Sequence, residues 1–176
     1  LGRRAEALAP AQEAVELYRA LARQNPDAFQ PALAMSLNTL ANVLSELGRR
    51  AEALAPAQEA VELYRALARQ NPDAFQPDLA MSLWTLSQVL AGLERHAEAA
   101  LALAEALRTL QPQFTRLPEA FAQLMGALVR GYVEATRAAS TEPDSALLGP
   151  ILEILERFQQ EKQQSSGSTG CPGSIH

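Results

Sequence analysis

Residues 1–31 recur letter for letter as residues 47–77, so the chain is built on a repeat of 46 residues. A sequence that returns at a fixed long period presents the same faces to successive neighbours. It therefore predicts stacked repeat units, not one compact fold around a single core. The following segments, 32–46 and 78–92, differ at six places: Ala32/Asp78, Asn38/Trp84, Ala41/Ser87, Asn42/Gln88, Ser45/Ala91 and Glu46/Gly92. Asn38, Ala41, Asn42 and Ser45 fall at i, i+3, i+4 and i+7, which is one face of a helix. A stripe along which near-identical copies diverge is a candidate surface for telling one ligand from another. Drift of a solvated face after duplication, or gene conversion over part of the repeat, gives the same mosaic. Against drift stands the other helix, whose exposed positions in 3–24 and 49–70 have not changed at all.

Apolar residues at helical spacing fill that second helix: Leu54, Val61, Tyr64 and Ala68 in one row, with Ala53, Ala57, Ala60 and Leu67 beside it. Asn71-Pro72 is expected to end it, because proline disfavours helical geometry in the residue before it. The expectation is a connector over 71–76, with Pro77 in the first turn of the next helix and Leu79, Leu83, Leu86 and Leu90 continuing it. Gly48, and by analogy Gly2, supplies the tight turn. Helices are predicted near 3–24, 32–46, 49–70, 78–92, 95–110, 118–137 and 144–163. A third, decayed copy starts at Leu93, where Ala97-Glu98-Ala99 repeats Ala51-Glu52-Ala53. Gly126 and Gly131 weaken the helix after Pro118 by about 1 kcal/mol each relative to alanine. The organisation read from this is a repeat array over 1–137 and a capping helix over 138–163, with Ile151, Leu152, Leu155 and Phe158 facing inward. A Ser/Gly-rich tail over 164–176 is expected to be disordered.

The net charge of −5 offers no basic stripe for phosphates, which argues against nucleic acid and anionic membrane surfaces as partners. Every apolar run is broken well short of the roughly 20 residues that a membrane span needs. Cys171 is the single cysteine, so no intramolecular disulfide is available, which fits a cytoplasmic protein. The chain opens without Met in the middle of a repeat and reads as a fragment of something longer.

Leu37, Leu40, Ala41, Leu44, Gly48, Ala53, Ala60 and Pro72 sit at the spacing of the tetratricopeptide repeat, which this chain resembles. Small residues stand where two helices cross closely, and leucines fill the space between repeats. Leucine replaces the family's usual Trp and Tyr, Ala57 sits where a larger residue is common, and the repeat is about a dozen residues longer than usual. With "SLNTLANVL" at 36–44, these departures resemble the long-repeat variety of kinesin light chains and bacterial signalling proteins. The resemblance implies an all-α fold, a right-handed superhelical stack of antiparallel helix pairs, whose first helices line a concave groove. It places Met35, Asn38, Thr39, Asn42 and Ser45, then Met81, Trp84, Thr85, Gln88 and Ala91, on that groove. Asn and Gln amides are suited to a peptide backbone, and Met and Trp to apolar contact. Met35, Met81 and Trp84 also read as ordinary core packing or as a ledge under the neighbouring repeat. The Lys and Arg with which some family members grip a C-terminal carboxylate are missing from these positions.

Catalytic chemistry is not legible. His96 beside Glu98 is too little for a metal site, and Cys171 and His176 lie in the tail. The expectation is a non-enzymatic, cofactor-free module that binds a protein or peptide segment in its groove. The alternative is a structural, oligomerisation or ligand-sensing array within a larger signalling protein. The first helix, without a pairing helix of its own, is expected to expose Leu8, Val15 and Tyr18 and so to favour self-association.

Overall fold

The computed structural model describes residues 6–167, which form helices and no strand. In chain order these are α1 (Leu8–Gln24), α2 (Pro26–Glu46), α3 (Arg50–Gln70), α4 (Pro72–Gly92), α5 (His96–Arg116), α6 (Pro118–Ala138) and α7 (Ser145–Gly167). Each helix packs along the one before it, and connectors of alternately one and three residues force neighbours to run antiparallel up to α6. The result is an α-solenoid of the helix-pair type.

The 46-residue period persists in the backbone well beyond the point where the residues stop matching. Pro26, Pro72 and Pro118 each occupy the first turn of a helix, where the missing N–H has no intrahelical partner. Asn25 and Asn71, just before the first two, accept a hydrogen bond through Oδ1 from the N–H of Ala28 and of Ala74, both at 3.3 Å. At the other kind of turn, Gly48, Glu94 and Ser140 all adopt left-handed φ, at +75°, +61° and +55°. Only the first is glycine, the residue that takes this conformation without a Cβ penalty. Glu94 is exposed, so Glu94→Gly should raise stability by roughly 0.5–1 kcal/mol through relief of backbone strain, read as a higher thermal midpoint.

The single-residue connector corrects the expected 71–76 turn, since α2 and α4 start about six residues earlier than predicted and carry Pro31 and Pro77 inside. Pro72 can start a helix because Asn71 caps it. The cost of Pro77 is the carbonyl of Asp73, which loses its i+4 donor. Buried Gln113 of α5 replaces that donor: its Nε2 donates to the carbonyls of Asp73 and Pro72, both at 3.2 Å. Arg116 adds a 2.5 Å contact to the Asp73 carboxylate. Gln113 is reached only because α5 runs through Pro112 to Arg116, past the end expected at 110.

The core is continuous along the stack. Ala53, Ala57, Ala60, Val61, Tyr64, Leu67 and Ala68 of α3 are all buried, as are Leu79, Leu83, Leu86 and Leu90 of α4. In α7 the inward residues are Leu147, Leu148 and Ile151, while Leu152 is exposed and Leu155 and Phe158 half-buried. The helix is thus turned by about one residue from the predicted inward face. It continues to Gly167, and the rest of the expected tail, with Cys171 and His176, lies outside the described residues, as do Gly2, Arg3 and Arg4. In α1, Val15 is not exposed as expected: it is buried in a cluster with Ala22, Leu33, Leu37 and Ala60, while Leu8 and Tyr18 are half-buried.

Candidate functional site

Alternate helices form two layers. On one side α2 touches α4 directly, and Asn38 Nδ2 of α2 donates to Ser82 Oγ of α4 at 2.5 Å. The same layer continues to α6, where Trp84 of α4 lies over Gly131. On the other side Arg19 of α1 pairs with Glu59 of α3 at 2.5 Å, and the equivalent Arg65 of α3 pairs with Glu105 of α5 at 2.5 Å. These part-exposed pairs form a ladder along this side, each worth only about 0–1 kcal/mol.

The predicted groove residues all lie in the first layer, on α2 and α4, but their environments differ. Met35 is 63% exposed and Met81 47% exposed, at the same register of adjacent repeats. Large apolar side chains left in solvent at equivalent places are not core residues. Thr39, Asn42 and Gln88 are exposed, whereas Asn38 and Ser45 are half-buried and Thr85 is buried. The Thr39 hydroxyl donates back to the Met35 carbonyl at 3.0 Å. Asn38 Oδ1 and Ser45 Oγ are buried without a hydrogen-bond partner among the described residues. Trp84 is half-buried and packs on the core edge. A Cβ built on Gly131 would stand 2.7 Å from its ring, so glycine there leaves room for the indole.

Three of the six divergent positions share a setting in the second copy. Ser87, Gln88 and Ala91 line a cleft of about 200 Å³ together with His96 and Leu103 of α5 and Gly131 and Glu134 of α6. The Ser87 hydroxyl is tied to the Trp84 carbonyl at 2.7 Å. Gly92 leaves room for the Arg50 side chain, whose Cδ would lie 2.4 Å from a Cβ there. The sequence offered Gly131 only as a helix-weakening residue. Its role against Trp84 had no local signal, because the two are joined only by the stacking of α4 on α6.

The electrostatics are modest. Arg49 and Glu52 form a bidentate pair at 2.7 and 2.5 Å, which holds the carboxyl below its usual range, and Arg95 and Glu98 repeat it at 2.6 and 2.6 Å. Glu98 is thereby engaged with Arg95, not with His96. Burial pushes the Tyr64 phenol up to about 12, and the negative charge of Asp78 adds to this; Asp78 is itself raised by burial. A phenol that holds its proton more tightly in the folded state contributes stability that is present below about pH 10. That stability is lost as pH rises toward about 12. Tyr64→Phe should therefore flatten the alkaline fall of stability over this window in denaturant titrations.

Among the described residues no three His, Cys, Asp or Glu side chains are grouped to hold a metal ion, and no helix is long and apolar enough to cross a membrane. Compared with known families, residues 33–73 match the tetratricopeptide repeat, a span that covers most of α2, all of α3 and the start of α4. No curated protein and no solved structure matches the chain.

Proposed function

We propose, from the premise that this chain belongs to the tetratricopeptide repeat family, that it is a non-enzymatic module holding an extended or helical protein segment along the face of α2, α4 and α6. Repeats of this family are generally protein-interaction modules, which sets the class. The observation that carries the finer reading is the pair of exposed methionines, Met35 and Met81, in one register of adjacent helices. Around them stand uncharged groups able to donate and accept: Thr39 and Asn42 on α2, Gln88 on α4. Thr85 and the half-buried Trp84 form its floor toward α6. A flexible thioether conforms to varied apolar side chains, and amides hold a backbone whatever its sequence, so the favoured ligand is an apolar segment with few charges.

Selection of displayed linear peptides on the purified chain tests this. The selected peptides should lose about 2 kcal/mol or more of affinity to a Met35→Glu, Met81→Glu double variant whose unfolding midpoint is unchanged. Failure to select any peptide, or equal affinity for the double variant, would refute the groove.

A further inference from the structure

One place in the stack is filled by the chain itself in one repeat and left open in the next. A step of 46 residues carries Arg50 to His96, Gln88 to Glu134 and Gly92 to Ala138. In the earlier repeat the Arg50 side chain lies over α4, where a Cβ built on Gly92 would collide with its Cδ and Nε. In the later one His96, Glu134 and Ala138 all border the cleft of about 200 Å³ between the C-terminal ends of α4 and α6 and the start of α5. An imidazole is shorter than an arginine side chain, and Ala138 carries the methyl group that Gly92 lacks. The chain thus supplies a guanidinium to this place once and withholds it the second time. Glu134, which stands where the earlier repeat has a neutral glutamine, is exposed and makes no ion pair among the described residues.

We infer that this cleft receives an arginine side chain of a bound protein segment. Ala91, Ala99 and Leu103 offer an apolar wall to its methylene stem. The Glu134 carboxylate and the side-chain carbonyl of Gln88 are the acceptors for its guanidinium, a planar fork of N–H donors. Arg50 over Gly92 shows a side chain of the same kind at the corresponding place one repeat earlier. That the arginine belongs to a protein segment rests on the groove proposed above, whereas the fit of the cleft to a guanidinium does not.

Titration of the intact chain with N-acetyl-arginine amide, followed by backbone amide shifts in NMR, tests the inference, with the uncharged isostere N-acetyl-citrulline amide as the control. The arginine probe should shift the signals of Gln88, His96 and Glu134 saturably. The citrulline probe should bind at least about threefold more weakly, the effect of losing one exposed charge pair. Glu134→Gln, a change in an exposed side chain, should remove the difference between the two probes. His96→Arg combined with Ala138→Gly recreates the Arg50–Gly92 arrangement and should abolish binding. The small probe needs neither exposed methionine, so the Met35→Glu, Met81→Glu variant should bind it as before. A failed peptide selection with these shifts intact would therefore strike the groove and spare the cleft. The inference is overturned if the shifts fall elsewhere, if the two probes bind alike, or if Glu134→Gln keeps the preference for arginine. Loss of the shifts in the methionine variant would place the contact in the groove, and tighter binding of free L-arginine than of the blocked amide would mark a small-molecule site. Either result also overturns it.

Discussion

Replacing Ala60 by leucine should lower stability by roughly 1–3 kcal/mol, whereas the same change at Ala14 should cost well under half as much. The two alanines occupy the same place in identical sequences. Ala60 is 0% exposed and meets Leu33, Leu37 and Val15, so three added carbons there must push α2 away from α3. Ala14 is only half-buried. Helix propensity, local sequence and unfolded-state effects cancel in the comparison, which leaves packing as the only difference. Urea titrations of the two variants measure it, and equal losses would mean that α2 and α3 are not packed as described.

The second large effect is expected at the seam between α4 and α6. Threonine at Gly131, the residue found at the equivalent position Thr85, should cost about 1–3 kcal/mol, because its Cβ would fall 2.7 Å from the Trp84 ring. Trp84→Asn alone should also cost about 2 kcal/mol, by withdrawing a half-buried indole from the core edge. In the double variant the added Cβ no longer meets the ring, because Trp84 is gone. It should be more stable than the sum of the single losses by about 1 kcal/mol or more, a coupling that a double-mutant cycle isolates. Strict additivity would show that the indole and the glycine do not share space.

The helical stack was legible because the period of 46 and the alanine and leucine rows are local facts about the chain. The buried residues of α3 and the four leucines of α4 follow directly from their spacing. Element starts were misplaced where a distant group rescues a locally poor choice, as Gln113 does for the carbonyl freed by Pro77. The third repeat looked decayed because its residues change, yet Pro118 and Ser140 keep the turns in place. The exposed stripe could be drawn on a helix from sequence, but not the depth of each member. Thr85 is buried and Met81 exposed although the two are one turn apart on α4, a difference set by the neighbouring helices and not by the spacing. The clustering of Ser87, Gln88 and Ala91 around His96 and Glu134 was equally out of reach, since no periodicity in one helix tells which residues of another will face it.

The identity of α1 and α3 also poses a problem of registration during folding. While the chain is collapsing, α1 can settle on α4 in the place of α3 with the same side chains and the same ladder, since Arg19 then meets Glu105 as Arg65 does. The penalty is the loop of one whole repeat that is left outside, and loop-closure entropy grows only slowly with length. Nothing within residues 1–31 and 47–77 breaks this tie. What breaks it is the pair of helices that follow, because Asn38 with Ser82 and Trp84 with Gly131 are complementary only in one order. The Asn38/Trp84 difference therefore acts as an address, telling two otherwise interchangeable copies which of them belongs beside α6.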